Sequence, residues 1–153
     1  MKKIWKSRAY RDTKVDSSKT ESDIGKLLKK YGINERQFTD RGDKAEFTFL
    51  KDMKVETGIV KVGVKIVIPN ITDKNRNQLY RALFYYLKAK FESLDFGFVE
   101  EHQEAFVKEF LPYLIVDKSG RTVTDLIIPK LHEAMRSSVE GEQLFLENKT
   151  GVD

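Results

Sequence analysis

The sequence predicts an α+β protein with an N-terminal helix, a three-stranded antiparallel sheet, a long helix, and a helical C-terminal part with one short strand. Apolar residues recur at helical spacing before Gly32, alternate with polar residues between residues 37 and 68, and return to helical spacing after residue 72. The length of 153 residues is that of one ordinary domain, and 40% hydrophobic residues suffice for a core. We therefore expect a basic arm over residues 1–17, a single domain over residues 18–137 and an acidic tail over residues 138–153.

The first helix is predicted to begin at Ser18, because Ser18 and Glu21 have the spacing of a capping box. It is expected to end at Gly32, the residue type that most often follows a helix. Its apolar face would consist of Ile24, Leu27, Leu28 and Tyr31. The preceding residues show no sustained period and are interpreted as an arm or an irregular strand.

The sheet is predicted from three segments. Residues 37–39 form a short strand, residues 40–43 have the composition of a turn, and apolar residues then alternate from Ala45 to Phe49. A second turn is expected over residues 52–58, followed by the strongest strand signal, residues 59–68, which ends at Pro69. One face of this strand is apolar and should be buried, whereas the face with Lys61, Gly63 and Lys65 should be open to solvent or to a ligand.

The long helix is predicted to begin at Thr72 or Asp73 and to end at Gly97. Its core face would consist of Leu79, Leu83, Tyr86, Leu87 and Leu94. The helical C-terminal part would comprise a helix over residues 100–111, a short strand over residues 113–116, and a helix over residues 123–136 in which Pro129 either introduces a kink or marks the first turn.

Several classes of function lack their sequence marks. The chain has no cysteine, which excludes disulfides and thiol chemistry and fits a cytoplasmic protein. The two histidines belong to no metal-binding motif, no glycine-rich phosphate loop is present, and no serine has a nucleophile-elbow context. No apolar run approaches the length of a membrane span. We therefore favour a non-catalytic function with no cofactor, no metal and no membrane partner. The enzymatic alternative, a nuclease for instance, would need a clustered set of carboxylates that the sequence does not reveal.

The net charge of +4 is unevenly distributed and suggests a polyanionic partner. Residues 1–20 contain seven basic and two acidic residues, and the stretch from Lys74 to Phe91 contains five basic residues and no acid. We predict that Lys74, Gln78, Arg81, Tyr85 and Lys88 form a solvent-facing stripe on the long helix, in which Tyr85 stacks on a base. The predicted nucleic-acid-binding residues are Lys61, Lys65, Lys74, Arg81, Tyr85, Lys88, Lys90, Trp5, Arg8 and Arg11.

Each basic group also has a simpler interpretation. A charged helix face can serve only for solvation, lysines on an edge strand can protect a sheet against aggregation, and a basic arm can act as a solubilising tail. Aromatic residues among positive charges favour single-stranded over double-stranded nucleic acid, because stacking requires exposed base faces.

The chain resembles small proteins encoded by phages and prophages, mostly without assigned function, over residues 17–136. The resembling segments are Ser18-Lys19-Thr20, Asp23-Ile24, Leu27-Leu28-Lys29-Lys30-Tyr31-Gly32, Leu87-Lys88-Ala89-Lys90-Phe91-Glu92-Ser93, Phe110-Leu111-Pro112-Tyr113, Gly120-Arg121-Thr122-Val123 and Ile128-Pro129. The order of helix, three strands and long helix also resembles the core of phage single-strand annealing proteins. That likeness implies an oligomer that binds single-stranded DNA along a basic groove.

Two functions follow as predictions. The first is non-catalytic binding of nucleic acid, with single-stranded DNA as the favoured ligand, by a homo-oligomer. The second is a self-assembling structural or accessory protein that does not bind nucleic acid. In this alternative an aromatic surface would pack against other copies, and the basic arm of one copy would meet the acidic tail of another; that surface is Tyr80, Phe84, Phe91, Phe96 and Phe98.

Overall fold

The computed structural model describes residues 8–96 and 102–139 and confirms the predicted α+β fold. The elements in chain order are α1 (Ser17–Lys30), β1 (Glu35–Asp40), β2 (Ala45–Val55), β3 (Gly58–Ile68), α2 (Arg76–Asp95), α3 (His102–Phe110), a single 3-10 turn (Leu111–Tyr113) and α4 (Val123–Val139). Three predictions concern residues outside these ranges: the end of the long helix at Gly97, the site residue Trp5 and the tail beyond residue 139.

Helix α1 ends where the sequence predicts but begins differently. Asp16 is the N-cap residue, and the Ser18 hydroxyl inside the helix donates a hydrogen bond to the Asp16 carboxylate, so the predicted capping box at Ser18 is wrong. At the other end Gly32 has a φ of +77°, a conformation that glycine adopts without steric cost. The amides of Gly32 and Ile33 donate to the carbonyls of Lys29 and Leu28, which is a Schellman motif.

The sheet is antiparallel with the strand order β1-β2-β3. Phe38 pairs with Phe47, and Phe49 pairs with Val64, so the apolar positions of all three strands share one face. The turn predicted to begin at residue 52 is wrong, because β2 continues to Val55 and only two residues connect it to β3. The two long strands thus form one hairpin of eleven residues a side.

Helices α1, α2 and α3 contribute to one core on the apolar face of the sheet. The rings of Phe49, Phe91, Phe106 and Phe110 have no exposed surface, and the Phe91 and Phe110 centroids are 5.1 Å apart. Complete burial of each such side chain stabilises the fold by about 1.5–3 kcal/mol. The buried face of α2 includes Phe91, whereas Tyr86 is 42% exposed, which corrects its predicted place in the core.

The predicted short strand at residues 113–116 is reduced to isolated bridges, in which Leu114 pairs with Val64 and Ile115 pairs with Thr122. A β-carbon at Gly63 would lie 2.9 Å from Ile115 Cδ1. The space that the sequence left for a ligand at Gly63 is therefore filled by a side chain of the protein.

Helix α4 begins at a reciprocal cap. The Thr122 amide donates to Asp125 Oδ2 over 2.9 Å, and the Asp125 amide donates to Thr122 Oγ1 over 3.3 Å. Pro129 lies inside this helix and does not mark its first turn. Within residues 8–96 and 102–139, no helix combines the length and the apolar character that a membrane span requires.

Candidate functional site

The described part of the arm packs against α2 as irregular chain. Gln78 Nε2 donates to the Ala9 carbonyl over 2.9 Å, and the Ser17 amide donates to Asn77 Oδ1 over 2.9 Å. These two bonds join both ends of residues 9–17 to the first turn of α2. The arm and the long helix, which were separate candidates in the sequence, are therefore parts of one surface.

Two tyrosines stack where the arm meets α2. The rings of Tyr10 and Tyr85 have centroids 5.0 Å apart and an interplanar angle of 11°, and each residue is about two-fifths exposed. Tyr10 has a φ of +58°, the left-handed region, which costs a non-glycine residue about 1–2 kcal/mol. Such strained conformations persist where surrounding contacts enforce them, and they concentrate at binding sites.

An open cavity of about 500 Å³ lies beside the stacked pair, and we call it the arginine groove. Its lining residues are Arg8, Tyr10, Arg11, Asp12, Thr13, Val15, Arg81 and Tyr85. Three of these lining residues are arginines, and one, Asp12, is acidic. This concentration of guanidinium groups beside exposed rings could bind an anionic ligand that also carries flat aromatic groups.

Arg81 occupies a different environment from the one predicted. The residue is only 8% exposed, so its predicted place on a solvent-facing stripe is wrong. Its Nη1 and Nη2 donate to Asp23 Oδ2 over 3.3 and 2.8 Å, while its Nε is buried without a hydrogen-bond partner among the described residues. The guanidinium carbon also lies 4.7 Å from the centroid of the Phe84 ring.

Asp23 holds the Arg81 side chain in place. The hydrogen bond from Lys19 Nζ, over 2.7 Å, lowers the pKa of Asp23 below its ordinary value, and the charges of Lys19 and Arg81 lower it further. The carboxylate therefore stays ionised at neutral pH and fixes the guanidinium at the groove.

Most other cations of the acid-free stretch are paired with carboxylates from elsewhere in the chain. Arg76 contacts Asp40 over 2.9 Å, and Lys88 contacts Glu92 over 3.4 Å. Lys74 is exposed and has no ion pair within the described ranges. The predicted stripe of solvent-facing cations is therefore largely neutralised.

Lys90 is the most enclosed lysine of α2. Its Nζ donates to the carbonyl and the carboxylate of Glu109 over 3.0 and 3.3 Å, and it lies 4.7 Å from the centroid of the Tyr86 ring. The side chain is 13% exposed. These contacts assign Lys90 to the packing of α3 against α2.

The lysines of β3 lie on the outer face of the sheet, away from the arginine groove. Lys61 forms ion pairs with Glu35 and Asp52, and its hydrogen bond to Glu35 raises its pKa. Lys65 lines a cavity of about 380 Å³ together with Glu46 and Asp125. The outer face therefore carries mixed charge and is not a basic surface.

The structure brings four of the predicted residues together: Arg8, Arg11, Arg81 and Tyr85. Tyr10 was not among the predicted site residues, although its position between Arg8 and Arg11 was a usable signal. Asp12, Thr13 and Val15 gave no signal, because their place in the groove depends on how the arm folds back onto α2.

No family model matches the chain, and the comparisons with curated proteins and with solved structures give no significant match. In the part of the chain that the structure describes, no three or more histidine or acidic side chains are grouped so that they could hold a metal ion.

Proposed function

We propose that this protein binds nucleic acid without catalysing a reaction, and that the arginine groove is the binding site for a single strand. The observation that carries the proposal is the juxtaposition of Arg8, Arg11 and Arg81 with the stacked pair of Tyr10 and Tyr85 around one cavity.

Arg8 and Arg11 would bind the phosphates. Both are exposed, and neither forms an ion pair with another described residue, so binding requires no internal pair to break. A guanidinium presents several donors in a planar fork that matches phosphate oxygens. Because neutralised phosphates release counterions, affinity should fall steeply as salt concentration rises.

Arg81 would contribute a fixed charge at the inner side of the groove. Its buried guanidinium is already positioned by Asp23, so little side-chain entropy would be lost when a phosphate approaches. Nη1 and Nη2 each donate one N–H to Asp23 and keep a second N–H for another acceptor, whereas Nε is buried and is not available to a ligand.

The tyrosine pair favours single strands. Tyr10 lies parallel to Tyr85 in the arrangement that a nucleic-acid base adopts on an aromatic side chain. A base could stack on the pair or take the place of Tyr10. Bases within a duplex are already stacked on their neighbours and cannot do either.

The test is binding of a labelled oligothymidylate over a series of salt concentrations, measured by fluorescence anisotropy. The double variant Arg8→Ala with Arg11→Ala should weaken binding, and its slope of log affinity against log salt should be smaller by about 1.4, or about 0.7 for each lost phosphate contact. Arg41→Ala is the matched control, because Arg41 is an exposed arginine on the β1–β2 turn, outside the groove. The proposal would be contradicted if the unchanged protein did not bind the oligonucleotide at low salt, or if Arg41→Ala lost as much affinity as the double variant.

A second variant tests the stacking. Tyr85→Leu keeps apolar bulk on α2 but removes the ring, so single-strand affinity should fall by about 1–3 kcal/mol while duplex affinity changes little. Competition between single-stranded and duplex oligonucleotides measures both affinities in one assay. Equal losses of affinity for the single-stranded and the duplex oligonucleotide would show that the Tyr85 ring does not stack on unpaired bases.

A further inference from the structure

Tyr10 covers one face of the Tyr85 ring in the position that a stacked base would take. The two rings are nearly parallel, with an interplanar angle of 11° and centroids 5.0 Å apart. Bases stack on aromatic side chains in the same arrangement. Both tyrosines line the arginine groove. A side chain of the arm therefore fills one stacking position of the groove.

The two rings are held unequally. Tyr85 belongs to α2, where the Phe84 ring packs edge-on against it at a centroid distance of 5.1 Å and the Arg81 guanidinium carbon lies 5.7 Å from its centroid. Among the described residues, the Tyr10 hydroxyl has no hydrogen-bond partner, and the Tyr10 ring packs against no aromatic ring other than that of Tyr85. Tyr10 is therefore the member of the pair that can leave.

The backbone conformation of Tyr10 opposes the stacked arrangement. The Arg11 amide donates to the Arg8 carbonyl over 3.2 Å, which closes a turn with Tyr10 at its third position. The φ of Tyr10 is +58°, and turns with a positive φ at this position usually have glycine there. Because this conformation is strained in a tyrosine, release of the ring from Tyr85 allows the backbone to relax.

The same turn carries two of the proposed phosphate-binding residues. Arg8 and Arg11 are its first and last residues, and both line the groove. A strand whose phosphates contact these arginines therefore places its bases beside the stacked pair. The hydrogen bond from Gln78 to the arm is accepted by the Ala9 carbonyl, so the Tyr10 ring can leave without detaching the arm from α2.

We propose that Tyr10 competes internally for the stacking position on Tyr85, and that a base of a bound single strand displaces it. The inference rests on the proposed function, since the displacing ligand is the strand bound in the arginine groove. Tyr10 then lowers the affinity for single strands in proportion to the fraction of molecules in which it is stacked. A duplex, which offers no unpaired base, gains nothing from its removal.

The first test compares the affinities of Tyr10→Gly and the unchanged protein for a labelled oligothymidylate. Glycine adopts the left-handed conformation without strain, so the variant keeps the turn and removes the ring. The affinity should rise about three- to tenfold, the factor by which a stacked aromatic pair favours the closed state. The slope of log affinity against log salt should stay the same, because no phosphate contact is lost.

Ala9→Gly is the matched control, because it adds a glycine to the same turn and keeps the ring. Its affinity should equal that of the unchanged protein. An equal rise in both variants would attribute the effect to flexibility of the turn and would overturn the inference. A fall or no change in Tyr10→Gly would overturn it as well. If neither the unchanged protein nor Tyr10→Gly bound the oligonucleotide at low salt, the proposed function itself would fail.

The second test observes the displacement directly by NMR. In the free protein, nuclear Overhauser effects should connect the ring protons of Tyr10 and Tyr85, and saturation with oligothymidylate should remove them. If these effects persisted in a complex that forms, the base would stack on the intact pair, so the inference would fail while the proposed function stood. Their absence from the free protein would also contradict the inference.

Discussion

Arg81 shows how tertiary contacts change the role of a single residue. In the sequence it belongs to an acid-free basic stretch, yet in the fold it is buried and paired with Asp23 of α1. The pair links α1 to α2 and positions one of the three guanidinium groups of the arginine groove. We therefore expect both the stability of the fold and the proposed binding of nucleic acid to depend on this side chain.

We predict that Arg81→Ala lowers the free energy of unfolding by about 2 kcal/mol. The variant removes charge-assisted hydrogen bonds, each worth about 1.5–3 kcal/mol when well enclosed, but Asp23 keeps Lys19 as a partner and remains partly exposed. Urea denaturation followed by circular dichroism measures this difference.

Lys88→Ala provides the comparison on the same helix. Its ion pair with Glu92 is exposed on both sides, so we expect a change within about 0.5 kcal/mol. If the two variants were equally stable, Arg81 would not be the structural link between α1 and α2 that the structure indicates.

At the scale of elements, the C-terminal ends of α1 and α2 are joined by a hydrogen bond. Tyr31 Oη donates to Asp95 Oδ2 over 2.8 Å, and the Tyr31 ring stacks on Phe91 with centroids 4.7 Å apart. Burial, together with this hydrogen bond, raises the pKa of Tyr31 to about 12. The neutral hydroxyl is thus favoured in the folded state.

This shift predicts a loss of stability in alkali. The pKa of tyrosine in an unfolded chain is about 10, so the stabilising contribution is complete below that pH and is lost as the pH rises towards about 12. Urea denaturation at several alkaline pH values should show a steeper decline for the unchanged protein than for Tyr31→Phe. If the free energy of unfolding declined equally with pH in both proteins, the Tyr31 hydroxyl would not contribute to stability.

The helices and strands were predictable from the sequence because apolar periodicity reflects burial directly. Alternation identified β2 and β3, and the spacing before Gly32 identified α1. The boundaries were less predictable, since the start of α1 depends on Asp16, and the length of β2 depends on pairing with β3. The pairing of β2 with β3 joins separate strands and is not encoded in local composition, whereas the contact between Asp16 and Ser18 is local.

The candidate site was only partly predictable for a related reason. Charge counting found Arg8, Arg11 and Arg81, but it could not show that Arg76 and Lys90 pair with carboxylates from β1 and α3. Ion pairing between distant segments depends on the tertiary fold. For the same reason, the packing of the arm against α2 could not be predicted from the sequence.

At the scale of the whole molecule, the two candidate basic surfaces lie on opposite sides of the sheet. The arginine groove is formed by the arm and α2 on the helical side, whereas Lys61 and Lys65 lie among carboxylates on the outer face. If the arginine groove is the binding site, a nucleic-acid strand contacts only the helical side of the molecule and leaves the outer face of the sheet unchanged.

The most direct test is a titration of isotope-labelled protein with an unlabelled oligothymidylate, followed through amide chemical shifts in NMR spectra. We predict that the largest chemical-shift changes occur in residues 8–15 and around Arg81 and Tyr85, while the amide signals of Lys61 and Lys65 stay near their original positions. Largest changes on the outer face of the sheet, or none at any position, would contradict the assignment of the arginine groove as the nucleic-acid-binding site.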